Sequence, residues 1–441
     1  MEPLMTSVIL AHRCVRRVVI GMGLVIAFVG SEHFARGDSN PFQEIEALEA
    51  KTDFADPLAL RQLIEHSRHL TLYGTARHYA RELLKLKPDD AMARELLHFK
   101  KFQDAATKSV VWMDWFDAAM WETHKCTRDP ILGYRRHEDR TSARDGLIRT
   151  SSRGLVAIDD WDREHSEWAH AHEVDSRYFH IRSTIPLAAV WFVADDLDHL
   201  VSSYLDYFEV ERLPTQRFTT HLYRTAEEAS AAKADVALLT RYGAYYSPPD
   251  KILHVSFKSL GGLTAVRHEA AHALNREFVD ANPAQWFDEG VGVMCQFARP
   301  REDQSFEFGR FPKHAFGTRF VDSVRNGARK RMAEVHSVPH VTMSAEHYSK
   351  FRSMVAFFMD ANNKQHRMTF INTMFRRRGD VRQLVLLTDI DVEWIKYVET
   401  LQPEPEYIYL PFPRDRTTDI TKVLKAGTSA VLYSRAEVIE D

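Results

Sequence analysis

The chain has 441 residues, more than one average domain holds, and suits two or three. Apolar residues make up 44% and charged residues 27%, the balance of a soluble globular protein with a sizeable core. Its 58 basic and 62 acidic side chains leave a formal charge of −4, so no large positive field is available to hold nucleic acid.

Arg13, Arg16 and Arg17 precede an unbroken small-and-apolar run from Val18 to Gly30. That run suits the core of a signal peptide and is shorter than the roughly 20 residues that span a bilayer. Ala35-Arg36-Gly37 then offers the small-x-small pattern that a signal peptidase reads. The expectation is a signal peptide over 1–37 and a mature chain starting near Asp38, with an uncleaved membrane anchor as the alternative. Either way the rest of the chain is exported, as a periplasmic, secreted or cell-envelope protein. Cys14 belongs to this leader. The remaining Cys126 and Cys295 either pair in an oxidising compartment or stay as two buried thiols, and neither spacing resembles a zinc-thiolate site.

Residues 38–105 read as a helical segment. From Ala76 to Ala91 apolar residues recur at helical spacing. Lys87-Pro88-Asp89-Asp90 interrupts them before a new helix through Leu96 and Leu97. The pattern resembles the second half of one tetratricopeptide repeat and the start of the next, without an array at a fixed period; a plain helical hairpin fits equally. A single such unit cannot be stabilised by stacking on its own kind, so it must lean on a neighbouring domain, or offer a face to a protein partner. Residues 106–177 combine one more expected buried helix, from the stripe Trp112, Trp115, Phe116, Met120 and Trp121, with a charged linker. The linker runs from Thr127 to Arg153 and includes Arg135, Arg136, Arg140, Arg144 and Arg149. His165, His170 and His172 cluster soon after, but on a charged, irregular stretch without a matching carboxylate frame, which argues against a second metal site.

From Tyr178 strands and helices alternate. Tyr178 to Thr184 reads as a half-buried strand, and a long helix follows Pro186 to Phe208. Phe218 to Tyr223 is a second strand, Ala226 to Leu239 a second helix, and Gly243 to Phe257 a hairpin turning at Pro248-Pro249-Asp250. Beyond Leu260 the pattern is mainly helical to about Leu401, and 402–441 is left as a tail. Sheet first and helices after is an α+β order.

Arg267-His268-Glu269-Ala270-Ala271-His272 carries the chemistry. On a helix, positions i and i+4 share a face, so His268 and His272 can present two imidazoles to one metal, with Glu269 to one side as a proton acceptor. Leu263, Val266, Ala270, Ala273, Leu274 and Phe278 give that helix a buried face. Beyond it the sequence reads Asn282-Pro283-Ala284-Gln285-Trp286-Phe287-Asp288-Glu289-Gly290-Val291-Gly292. Asn282 as N-cap and Pro283 as first helical residue predict a new helix that Pro300 stops. Glu289 then falls in its second turn, with Trp286, Val293, Met294 and Phe297 on a buried face. Gly290 and Gly292 remove side chains where backbones approach. A buried carboxylate is costly unless paired or bound to a cation, so a metal gives Glu289 a reason to be inside. Two histidines, one carboxylate and an open position describe catalytic zinc, one ion per chain.

His-Glu-x-x-His followed by Trp-x-x-Glu-Gly is similar to the gluzincin metallopeptidases of the peptidase MA type, in particular to secreted bacterial proteins with a helical-repeat N-terminus. The Tyr242-Gly243-Ala244-Tyr245-Tyr246-Ser247 segment and the later Tyr348 to Phe358 helix resemble that group as well, over roughly 178–400. The resemblance implies a zincin-like domain over 178–401, with zinc ligands His268, His272 and Glu289 and general base Glu269. It also implies hydrolysis of peptide or protein substrates by a zinc-activated water. The chain departs from the group at Asp288, where a neutral residue is commoner and which would either compete for the metal or support a histidine ligand. It departs again at Gly292, where alanine is frequent and harmless. Tyr348 is the candidate oxyanion donor, because it opens the helix after the site; His347 and His340 compete. Rival readings are a catalytically weak zincin-like binding protein, a scaffold built on the N-terminal helices, and hydrolysis of amides in cell-wall peptide bridges.

Overall fold

Asn40 starts the first helix: its side chain accepts the Phe42 N–H at 3.0 Å, and Pro41 takes the first helical position, where no N–H is needed. The computed structural model describes residues 40–103, 110–114, 128–129, 133–134, 147–150, 154–257, 261–301, 305–309, 311, 315–328, 331–336, 338, 343–376, 384, 388–403, 407–410 and 431–434. The expected leader over 1–37, Cys126 and His340 lie outside them. Among the described residues no helix is long and apolar enough to cross a membrane.

Four helices open the described chain: α1 Pro41–Glu49, α2 Pro57–His69, α3 Tyr73–Leu86 and α4 Ala91–Leu96. Asp56 and Asp90 cap α2 and α4. Leu60, Leu63, Ile64, Ala76, Ala80 and Leu83 are sealed between α2, α3 and their neighbours. The helical reading to residue 105 needs correction, since Phe99–Gln103 (β1) is a strand antiparallel to Val110–Asp114 (β2), with Lys101 opposite Trp112. The expected buried helix is therefore a strand where it is described. Val110, Val111 and Trp112 favour a pleated surface, and a short apolar run does not distinguish the two periods. Trp115, Phe116, Met120 and Trp121 lie outside the described residues. In the expected linker, Arg128–Asp129 pairs with Gly133–Tyr134, and Leu147–Thr150 with Gly154–Ala157.

After α5 (Ile158–Glu164) comes a five-stranded mixed sheet. Its strands are β3 His172–Asp175, β4 Phe179–Ser183, β5 Phe218–Tyr223, β6 Ala244–Ser247 and β7 Ile252–Ser256, in the order β6-β7-β5-β4-β3. The three central strands are parallel and both edge strands antiparallel. The sheet thus includes a strand that precedes the alternation read from Tyr178. Alternate residues Phe179, Ile181, Leu222, Leu253 and Val255 are buried in the core.

The crossover between β4 and β5 is α6, Leu187–Tyr207. It carries Val190, Val193, Ala194, Leu197, Leu200, Val201 and Tyr204 with no exposure, because it packs on β3 and β4 and on α3. Helix α3 has no side-chain cap of its own. Glu209, just past α6, supplies one, accepting the Gly74 and Thr75 N–H groups and the Thr75 hydroxyl. Arg77 adds an ion pair to Asp206 at 2.6 Å. The N-terminal helices therefore lean on α6, and one continuous core runs from Phe42 to Val398.

The single helix expected over 226–239 is two pieces, a 3₁₀ helix Glu227–Ala232 and α7 Val236–Tyr242. Lys233 at φ 59 ends the first, and Asp235 caps the second by accepting the Leu238 N–H at 3.0 Å. Among the described residues the further helices are α8 Gly261–Phe278, α9 Gln285–Gln296, α10 Ala315–Arg325, α11 Met332–His336, α12 Ala345–Met359, α13 Lys364–Arg376 and α14 Thr388–Thr400. The fold is α+β. Helix α9 begins later than Asn282 and Pro283 suggest. Asp280 captures the Asn282 N–H in a local turn at 3.0 Å, and the cap position falls to Ala284. In the expected tail, Tyr407–Leu410 pairs in parallel with Val431–Ser434.

Candidate metal centre

Helix α8 brings the His-Glu-x-x-His residues to a corner between the sheet edge and α9. Val266, Ala270, Ala273 and Leu274 are buried along it. His268 and His272, one turn apart, have ring centres 4.9 Å from each other. From α9, one Glu289 oxygen faces both rings: Oε2 is 3.3 Å from His268 Nε2 and 3.8 Å from His272 Nε2. His268, Glu269 and His272 also offer ligand atoms within 4.8 Å of one another, the one such group of His, Cys, Asp or Glu among the described residues. Two carboxylates thus stand near the imidazoles, and their other contacts separate them. Glu269 Oε2 accepts the backbone N–H of Tyr246, on the edge strand β6, at 2.7 Å. Glu289 Oε2 has both Nε2 atoms as neighbours.

The other nitrogen of each ring is engaged. His268 Nδ1 lies 3.2 Å from Gln296 Oε1, an acceptor, which puts the ring proton on Nδ1. His272 Nδ1 lies 3.0 Å from Asp288 Oδ1, off the line of a well-formed hydrogen bond, so charge more than alignment holds it. Asp288 therefore supports a histidine and does not join the Glu289 oxygen that faces both rings. Arg276 Nη1 meets its other oxygen at 3.0 Å. Burial alone would raise the Asp288 and Glu289 carboxyls. The facing histidines hold both below the ordinary value, with Arg276 and Asn275 adding to the effect at Asp288. Burial works against a charged His272, but Asp288, then Glu269 and Glu289, overcome it and push the ring up to about 9.

Both glycines of α9 are close-approach positions. A Cβ on Gly290 would stand 2.6 Å from the Phe351 carbonyl oxygen of α12, and one on Gly292 would stand 2.9 Å from His268 Cε1 and Nε2. Alanine at 292 is therefore not harmless here, because it would press on the His268 ring.

Tyr348, in the first turn of α12, has its ring centre 6.4 Å from that of His268. Burial, then the Glu289 and Glu269 carboxylates, push its phenol up to about 12, which keeps it a donor at neutral pH. His347 is occupied at the start of the same helix, where its Nδ1 takes the Ser344 N–H at 3.0 Å in a capping box. His165 and His172 stack at 4.7 Å, and His172 lies 3.2 Å from Asp162, while His170 is exposed. These three form no metal-binding group.

Sequence reasoning missed Gln296, Arg276, Asn275 and the Tyr246 backbone. Only Arg276 carried a signal, being one turn beyond His272. No protein-family model matches this chain, and no curated protein matches it.

Proposed function

We propose that this chain is an exported zinc metallopeptidase of the gluzincin type. It would hold one zinc through His268, His272 and Glu289 in a zincin-like domain, with Glu269 as general base. The observation that carries the proposal is the aim of two imidazole Nε2 atoms at one buried carboxylate oxygen, with the opposite ring nitrogens facing Gln296 and Asp288. Two imidazoles and a carboxylate fit zinc and leave a position for water. The charge fits as well. Arg276 pairs with Asp288, while Asp288, Glu269 and Glu289 together favour positive charge at His272, a charge that a divalent cation would supply in place of a proton.

When bound, zinc acidifies a water and polarises a carbonyl. Glu269, one oxygen fixed by the Tyr246 N–H, takes the proton from the attacking water on its other oxygen and delivers it to the leaving amine. Tyr348 donates its phenolic hydrogen to the developing oxyanion.

The test is metal content and cleavage of a mixed peptide library by the purified chain, with and without a chelator. About one zinc per chain, lost in His268→Ala and Glu289→Ala, is expected. Glu269→Gln should keep its zinc and lose roughly 100- to 10,000-fold in rate. Full zinc in both ligand variants, or unchanged turnover in zinc-loaded Glu269→Gln, would refute the proposal.

A further inference from the structure

Two buried side chains of α6 grip the helix that carries the histidines, one on each side of them. Asp196 receives Arg267 Nε at 2.7 Å and Nη2 at 2.6 Å, immediately before His268. Tyr204 donates its hydroxyl to Asn275 Oδ1 at 2.8 Å, just beyond His272. Both contacts join residues 71 positions apart in the chain. The two helices therefore run side by side in one direction, with the grips roughly 12 Å apart along them.

The Asn275 side chain is fully enclosed, at 0% exposure, and its amide fits one way round. Oδ1 accepts from Tyr204, and Nδ2 donates to Asp288 Oδ1 at 2.8 Å. The reversed amide would set its oxygen against a carboxylate that has no proton to offer. The same Asp288 Oδ1 faces His272 Nδ1 at 3.0 Å, while Oδ2 takes Arg276.

We propose that Asn275, braced by Tyr204, is a positioning residue for the metal site. Through Asp288 it holds the His272 ring with Nδ1 toward Asp288 and Nε2 toward Glu289. This rests on the zinc reading above. Without the Asn275 donor, Asp288 keeps Arg276 as its firm partner, and its carboxylate swings toward the guanidinium and away from His272. Tyr204 acts one step further back, by keeping the Asn275 oxygen turned away from Asp288.

The experiment measures zinc affinity of the full chain by competition with a chromophoric chelator. It also records the visible absorption of the cobalt(II)-substituted protein, which reports ligand geometry, and thermal unfolding without metal. Asn275→Asp keeps the shape of the side chain and puts a carboxylate where the donor stood. It should weaken zinc binding roughly 10- to 100-fold and shift the cobalt bands. Tyr204→Phe should weaken binding only a few-fold, since Asp288 keeps its donor. If Asn275→Asp does not fold, Tyr204→Phe decides the matter, and unchanged affinity with unchanged cobalt bands there overturns the role. A folded Asn275→Asp protein that binds zinc within about twofold of the parent, with the same bands and merely a lower melting temperature, shows a structural residue only and also overturns it. Failure of the unaltered chain to take up zinc or cobalt instead sinks the metal reading itself, and the positioning role with it.

Discussion

Gly292→Ala separates the proposed metal site from the stability of the fold that carries it. The added Cβ would stand 2.9 Å from His268 Cε1 and Nε2, whereas ordinary contact begins at 3.4 Å, so ring or helix must yield by about half an ångström. Zinc–nitrogen distances are held to about 0.2 Å, so a movement of that size would be felt by a zinc ion bound there. The ring is not free to swing, because Gln296 holds its Nδ1 at 3.2 Å. A rotation of about 30° off its rotamer costs roughly 0.5–1.5 kcal/mol, which is roughly a 2- to 12-fold loss of zinc affinity. Without metal the ring can give up the Gln296 contact and turn aside, a loss that alanine offsets by being up to about 1 kcal/mol better than glycine in a helix interior. Zinc competition titration and metal-free thermal unfolding check the two halves. Wild-type affinity in Gly292→Ala would show that His268 is not held against α9 as described. A drop in metal-free stability of more than about 1 kcal/mol would show that the contact belongs to the core and not to the site.

Gly290→Ala should behave in the opposite way. Its Cβ meets a backbone carbonyl at 2.6 Å that cannot step aside, so about 1–3 kcal/mol of stability should be lost in denaturant unfolding. Arg267→Ala strands Asp196, which is enclosed with it, and should cost about 3–5 kcal/mol in the same assay; a loss below about 1 kcal/mol would mean the pair is solvated. Tyr348→Phe should lower kcat roughly 100- to 1,000-fold with little change in KM, and a kcat within about twofold of the parent would move the oxyanion role to His347 or His340. Burial pushes His221 and His254 down to about 4, so the folded chain keeps them neutral where the unfolded chain takes up protons. Their share of the stability is complete above about pH 6.5 and is lost as pH falls toward 4. Melting temperature followed over that range should fall less steeply in His221→Gln/His254→Gln, and an equal slope would refute the assignment.

Periodicity located the strands and helices that enclose the site, and it failed where local hydrogen bonding decides. Phe179–Ser183, Leu187–Tyr207 and Phe218–Tyr223 fall within a residue or so of their expected places, because their apolar spacing is enforced by the core they build. The stretch 226–239 carries an alanine-rich pattern that fits a continuous helix. Asp235 nevertheless makes a better start for a new one than an interior residue, and the helix breaks there. A similar local bond moved the start of α9, where Asp280 accepts the N–H of Asn282 and holds that residue in a turn ahead of the helix. At 110–114 the period was too short to read, and pairing with Phe99–Gln103 chose the strand.

The candidate site divides along a similar line. That His268, His272, Glu269 and Glu289 come together is legible, because helical spacing and the cost of burying a carboxylate constrain them within a short stretch of chain. Apart from Arg276 their supports are not, since they come from the crossing of α8 and α9 or, for the Tyr246 N–H, from the sheet edge, and neither has a local signature. Asp288 looked ambiguous in sequence because its neighbour Glu289 has an equal claim on a cation. Only the crossing of α8 and α9 shows that its oxygens belong to Asn275, Arg276 and His272. Gly292 misled for the same reason. Its small size has no meaning along α9 and acquires one only where the His268 ring comes to lie across it. Sequence therefore offers the candidate ligands of such a site and not what aims them. The aim is where variants with intact ligands should still lose metal.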